Sequence, residues 1–424
     1  MTINGTIAES RYPQKIIVNG KSYSWPALPV VIVCIDGGDP EYVTAALEKG
    51  LIPTIKKFMN KGFSAVAYGA MPSFTNPNNI SIITGVPPSV HGISGNYFLN
   101  PETGEEVMMN EPKFMRADSI LAKFSEHGAK VVAITAKDKL SRLLGHRIIN
   151  GITFSSEKAD KCTKKENGLD NCLEYVGLPL PDVYSGDLSI FVLEAGIKIL
   201  EREKPDIMYL SLTDYIQHKY APGTKEANDF YHALDDAFGR LAALGAVVAL
   251  TGDHGMNDKS NAHGSPNVIY LQEVLDKKIG EGKTKVILPI TDPYVAHHGA
   301  LGSFATVFFR GQISTADAII AISKLPGLEV VMDRASAVEK FALPADRIGD
   351  LIVIGDERTV LGTQKKNHDL SKLSGMRLRS HGGVADSEVS FILSHPLNEK
   401  HKNIAISRHL RNYDIFDFAF NKVR

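Results

Sequence analysis

The sequence is poor in several features, and each shortage argues against a class of function. No uninterrupted apolar run approaches the roughly 18 residues that span a bilayer, so no membrane role is expected. The N-terminus, MTINGTIAESRYPQKIIVNGKSY, lacks a basic patch followed by a continuous apolar stretch, which argues against a classical secretory signal. Acid and base nearly cancel, with 47 Lys+Arg against 48 Asp+Glu, leaving no whole-surface field to attract nucleic acid or an anionic membrane. Only three cysteines occur in 424 residues, and none stands in a CxxC pair. Cys34 lies in an apolar strand and reads as a buried thiol. A Cys162–Cys172 bond could close a loop, but a reduced cytoplasmic protein is the simpler expectation. Internal repeats and low-complexity tracts are absent as well.

What is present has the texture of an α/β protein. "LPVVIVCIDGGDP" (28–40), "PDIMYLSLTDY" (205–215) and "GAVVALTGDHG" (245–255) are continuous β-rich apolar runs that end in acid-bearing loops. Continuous rather than alternating apolarity is what a strand shows when both faces of its sheet are covered. Helix-like stretches at 40–48, 118–127, 187–202 and 226–244, with a further strand at 130–135, alternate with them. The pattern predicts a doubly wound, mostly parallel α/β sheet flanked by helices. Residues 157–173 are strongly polar and read as a solvated surface excursion. From about 262 to 378 the texture changes to that of a smaller α+β cap insert, leaving 1–261 and 379–424 as the catalytic core.

Ligands in open α/β sheets bind beyond the carboxyl ends of the strands, which is where Asp36, Asp214 and Asp253 fall. Asp39 precedes Pro40 and reads instead as a helix cap. In "TDYIQH", Asp214 and His218 are four residues apart and share a face on a helix. In "GDHG", Asp253 and His254 are consecutive in a glycine-flanked turn, and "RSHGG" puts His381 in another turn. Three carboxylates and three imidazoles suit zinc or manganese better than calcium. Six protein ligands exceed the needs of one tetrahedral ion but divide naturally between two, and paired ions can clamp a phosphoryl displacement. Thr75 then acquires a purpose. Pro77 suits the first helical position with Asn76 as cap, so the Thr75 hydroxyl would lie beside a positive helix end. A threonine hydroxyl is a poor nucleophile unless activated, and coordination to a metal is one route. Asn96, in "HGISGNYF", could donate its amide to a phosphoryl oxygen.

Taken in order, "VCIDGGDP", "SFTNPNN", "HGISGN", "TDYIQH", "GDHG" and "SHGG" resemble the alkaline phosphatase superfamily, in its nucleotide pyrophosphatase/phosphodiesterase-like branch. These motifs run from residue 36 to 381, so the resemblance covers most of the chain. It implies two divalent metal ions, zinc in most of the family, with manganese as the alternative. Asp214, His218 and His381 would hold one. Asp36, Asp253, His254 and the nucleophile Thr75 would hold the other, with Asn96 assisting the phosphoryl oxygens. Within the branch the chain looks most like the members that cleave the carbon–phosphorus bond of phosphonoacetate. In these, lysines at the position of "TAKDKL" (135–140) hold the substrate carboxylate, the role this implies for Lys137 and Lys139. The expected partner is a small anionic phosphonate, and a homodimer is compatible with the sequence. A phosphodiesterase or phosphomonoesterase on the same scaffold is the alternative, although Tyr97 and Phe98 are the only aromatic cluster in view for a base. His297 and His298 either reach over the site from the insert or sit in a surface turn.

Overall fold

The computed structural model describes residues 13–291, 299–373 and 375–420, which places His297 and His298 outside the described residues. Its centre is an eight-stranded sheet in the order Leu410–Arg411, Phe63–Tyr68, Glu388–Leu393, Val247–Gly252, Val30–Ile35, Ile207–Ser211, Val131–Thr135 and Ile152–Ser155. Glu388–Leu393 runs against both of its neighbours. The five strands from Val247–Gly252 to Ile152–Ser155 are all parallel.

The apolar runs are continuous because each strand feeds two cores. Along Val30–Ile35 every residue is buried. Val31, Val33 and Ile35 pack on one face with Tyr42, Phe191, Leu234 and Phe238 from the helices Pro40–Glu48, Asp187–Glu203 and Lys225–Ala243. Val30, Ile32 and Cys34 pack on the other with Ile80, Phe124 and Phe416 from Thr75–Thr84, Ile120–Glu126 and Ile415–Phe420. Helices on both faces make the sheet doubly wound, as the alternation predicted. Asp39 caps Pro40–Glu48 by accepting from the Glu41 N–H at 2.9 Å.

The 157–173 stretch corrects the expectation of a solvated excursion. Its polar residues face out, but Ala159 and Cys172 are buried against the core, and short helices at Lys164–Asn167 and Cys172–Val176 order it. The composition was polar enough to hide these anchors, with Leu169 a third in the same core. Cys162 and Cys172 are both free thiols.

A second sheet, antiparallel throughout, runs Thr284–Ile287, Phe304–Phe309, Leu351–Gly355 and Leu328–Asp333. It has its own apolar cluster, fed by the helices Leu271–Lys278, Thr315–Ile322 and Arg334–Phe341. Met71 and Phe74, just ahead of Thr75, belong to this second cluster. The chain leaves the large sheet and returns to it side by side, since Asn257–Asp258 pairs antiparallel with Arg379–Ser380.

Candidate active site

The carboxyl ends of the parallel strands bring the six predicted ligands together. Asp36 follows Val30–Ile35, Asp253 follows Val247–Gly252, and Asp214 lies three residues beyond Ile207–Ser211, where it starts the helix Tyr215–Lys219. His218 completes that turn with Nε2 2.8 Å from Asp214 Oδ2. His254 Nε2 is 3.2 Å from Asp36 Oδ1 and 3.8 Å from Asp253 Oδ2. His381 Nε2 is 3.8 Å from Asp214 Oδ2. Its ring stacks on that of His254, with centroids 3.5 Å apart. Two donor groups emerge, Asp214–His254–His381 and Asp36–Asp253–His254, with the atoms of each within 4.8 Å of one another. His254 thus stands between the two, within reach of both.

The hydrogen bonds behind the imidazoles decide what these donors are for. Nδ1 of His218 meets the Arg379 carbonyl at 2.7 Å, Nδ1 of His254 the Gly255 carbonyl at 2.9 Å, and Nδ1 of His381 the Ser73 carbonyl at 2.7 Å. A carbonyl only accepts, so each Nδ1 carries a proton, and a ring kept neutral, as metal ligation requires, turns an Nε2 lone pair inward. Those lone pairs face carboxylate oxygens. Acceptors opposed to acceptors across a buried space repel one another unless a cation lies between them, and Asp36 Oδ1 is a buried oxygen with no hydrogen-bond donor. The donor set therefore fits divalent metal. Proton affinities point the same way. Burial, reinforced by Asp214 and Asp253, pushes Asp36 well above the usual carboxylate range, and burial with Asp214 raises Asp253 to about 7. Burial, with His254 and His218 nearby, holds His381 well below the ordinary imidazole value. Burial opposes ionisation of Asp214 too, but the adjacent imidazoles, His218 first, keep it well below its ordinary value. The pocket is short of positive charge.

Thr75 opens the helix Thr75–Thr84, and its Oγ1 lies 3.5 Å from His254 Nε2. The predicted cap is corrected here: the helix begins two residues earlier, with Phe74 at the N-cap and Pro77 inside the first turn. Pro77 is tolerated there because the first four N–H groups of a helix have no partner within it. The Asn76 N–H donates to Asn96 Oδ1 at 2.9 Å, leaving Asn96 its NH₂ end for a ligand. Asn96 itself is tied to the second sheet's side of the molecule, its own N–H donating to the Pro289 carbonyl at 2.9 Å.

One cleft is lined by Asp36, Thr75, Asn96, Lys137, Lys139, Asp214, His218 and His381, so both lysines share it with the metal-fit cluster. Lys137 also donates to the Val183 carbonyl at 3.0 Å, and its pKa is lowered, chiefly by burial. A larger cavity of about 550 Å³, lined by Trp25, His401 and Phe420, lies at the opposite ends of the strands and holds none of these residues.

Sequence reading missed the supporting residues. Asn78 donates to the carbonyls of Ala70, Pro72 and Phe74 at 3.0–3.2 Å and accepts from the Ala70 N–H, folding the loop ahead of Thr75. Asn79 reaches Asp253. The buried Arg379 guanidinium donates to the carbonyls of Gln217 and Met256, fixing the backbone that orients His218. For the two asparagines the visible signal was the polar run "SFTNPNN", whose last five residues open the buried helix.

Residues 30–383 match the family model for type I phosphodiesterase / nucleotide pyrophosphatase. A phosphonoacetate hydrolase from Sinorhizobium meliloti 1021, solved with phosphonoformate, is 48% identical over 96% of this chain and 98% of its own, with a TM-score of 0.92. Its complex with phosphonoacetate gives 47% and 0.90 over the same shares. Murine ectonucleotide pyrophosphatase / phosphodiesterase 5, at 15% identity, a TM-score of 0.60 and 92% and 93% coverage, shares the fold. An uncharacterized pyrophosphatase/phosphodiesterase of Schizosaccharomyces pombe is 21% identical over 50% of this chain, which spans 40% of that protein's length. The chain belongs to the type I phosphodiesterase / nucleotide pyrophosphatase family of the alkaline phosphatase superfamily.

Proposed function

We propose that this protein hydrolyses the carbon–phosphorus bond of phosphonoacetate, giving acetate and phosphate, through a phospho-threonine at Thr75. The observation that carries the reading is the shared cleft, in which Lys137 and Lys139 face the same space as Thr75, Asn96 and the Asp/His cluster. A phosphonoacetate dianion or trianion has two anionic ends; Lys137 and Lys139 offer one cationic end, and the Asp/His cluster would offer the other when it holds metal. The 48% identity to a phosphonoacetate hydrolase supports the same substrate.

Asp214, His218 and His381 would hold one divalent ion, and Asp36, Asp253, His254 and Thr75 the other, with zinc the preferred metal. When bound, such ions supply Lewis acidity to the phosphoryl oxygens and lower the pKa of a coordinated hydroxyl. The Thr75 oxygen attacks phosphorus from the N-terminal end of its helix, where backbone N–H groups favour negative charge. Asn96 donates its amide to a non-bridging oxygen. The electrons of the breaking C–P bond move onto the methylene carbon and into the carboxylate, forming an enediolate that takes a proton from water to leave as acetate. Lys137 and Lys139 stabilise that group most where its charge grows, so their contribution falls on the transition state. Water then releases phosphate from Thr75. The insert 262–378 acts as a cap, held to the site through the Pro289 carbonyl and Asn96.

Phosphate release from phosphonoacetate and from p-nitrophenyl phosphate esters, by metal-reconstituted protein, tests the reading. Lys137→Ala and Lys139→Ala should each depress turnover of phosphonoacetate while sparing the carboxylate-free esters. Equal losses on both substrates would refute the carboxylate role.

A further inference from the structure

Asn79 is a buried amide with every hydrogen-bonding position used. Its NH₂ donates to the Thr75 carbonyl at 3.1 Å and to Asp253 Oδ2 at 3.2 Å. Its Oδ1 accepts from the Tyr209 hydroxyl at 2.8 Å and the Ser211 hydroxyl at 2.9 Å. The orientation of the amide follows from chemistry, because a carbonyl and a carboxylate can only accept. Asp253 in turn gives Oδ1 to the N–H groups of Gly37 and His254, at 3.2 and 3.0 Å. Three donors therefore pin the carboxylate and leave part of Oδ2 facing the cluster.

We propose that Asn79 is the positioning residue that fixes Asp253 as a metal ligand and registers it against the nucleophile's own helix turn. The proposal rests on the reading of Asp253 as a ligand. One side chain bridges the first helical turn, the end of Val247–Gly252 and the strand Ile207–Ser211, so the distance between Thr75 and Asp253 is set by a single rigid group rather than by two independent loops. Only an amide serves there. A carboxylate would set a fourth negative charge against Asp253, and an apolar side chain would strand two hydroxyls and a carboxylate oxygen in a buried space.

The test is a titration of metal-stripped protein with Zn²⁺ against a chromophoric chelator, comparing wild type, Asn79→Ala and Tyr209→Phe. Wild type should bind two ions. Asn79→Ala should weaken one of them by roughly 10- to 100-fold, the usual cost of losing an outer-shell partner, and leave the other nearly unchanged. Tyr209→Phe removes one donor from Asn79 while keeping both groups Asn79 supports, and should weaken the same ion by a smaller factor. Unchanged affinities in Asn79→Ala would overturn the inference, as would an equal loss at both ions tracking a fall in thermal midpoint. If Asn79→Ala fails to fold, Tyr209→Phe decides, and wild-type affinities in it overturn the inference. A wild type that binds fewer than two ions would instead defeat the dimetal reading beneath it.

Discussion

Lys259 lies wholly buried where the chain leaves the large sheet, and its removal should cost several kcal/mol. Its Nζ donates to both oxygens of Asp386 at 3.0 Å and to the Glu357 carbonyl at 2.8 Å, and both ion-pair side chains are 0% exposed. Asp386 also accepts from Asn257 Nδ2 at 2.7 Å and from the Gly383 N–H at 2.8 Å, two residues from His381. At 3.0 Å and an effective dielectric constant of about 20 the attraction is about 5 kcal/mol, much of it offset by desolvating two ions. A mutation reads the stranded partner instead. Lys259→Met keeps the volume and leaves a buried carboxylate with two neutral donors, which should cost about 3–5 kcal/mol. Urea unfolding followed by circular dichroism and by the fluorescence of Trp25, packed against Phe124, measures it. Adding Asp386→Asn removes the uncompensated charge, so the double variant should be more stable than Lys259→Met by about 1 kcal/mol or more. A single variant within about 1 kcal/mol of wild type, or a double variant no better than the single, would refute the reasoning.

Other expectations follow from the same geometry. Thr75→Ala should lower turnover on the order of 10⁴-fold or more, with the thermal midpoint held; retained hydrolysis would remove Thr75 as nucleophile. Chelation should abolish activity and Zn²⁺ or Mn²⁺ restore it, with elemental analysis of active protein giving two ions per chain. His91 is buried between the Ser81 hydroxyl at 2.8 Å and the Ile93 N–H at 3.1 Å, and burial, aided by Arg347, lowers its pKa to about 3. The unfolded chain takes up this proton below about pH 6.5 and the folded one does not, so stability drops as pH is lowered from about 6.5 toward 3, approaching about 1.4 kcal/mol per unit. His91→Asn should remove about 1.6 kcal/mol of the difference between denaturation at pH 6.5 and at pH 5.0; equal slopes would show that His91 is not the group titrating.

Much of this was legible in the sequence because strand ends and metal ligands are local signals. "VVIVCID" announces a strand covered on both faces and an acid beyond it, and the structure places Val30–Ile35 and Asp36 accordingly. "TDYIQH" carries its geometry in its spacing, and the Asp214–His218 contact is that of one helical turn. Phe63–Tyr68 and Glu388–Leu393 escaped notice, since the first is partly exposed and the second pairs with segments far away in sequence. The start of the Thr75 helix was misplaced because Pro77 and Asn76 form a plausible cap, whereas the Asn78 N–H donates back to the Phe74 carbonyl and the Asn76 N–H donates to the distant Asn96 Oδ1. Asn79 and Arg379 were invisible because their partners on other elements are distant: Asn79 reaches residues 130 to 174 positions away, and the Arg379 guanidinium residues 123 to 337 positions away.

The antiparallel strand has a bearing on how the molecule is made. Glu388–Leu393 is wedged between Val247–Gly252 and Phe63–Tyr68, and His381 arrives only just before it. A chain emerging from the ribosome therefore completes Asp36, Thr75, Asp214, His218, Asp253 and His254 well before it can close the sheet that holds them in register. Until residue 393 is released, the Phe63–Tyr68 strand has no neighbour on the side that faces the rest of the sheet, and the acidic cluster lacks an imidazole. Synthesis of the segment that forms the second sheet must intervene. A nascent chain stalled short of that point presents an open sheet edge for chaperones to guard.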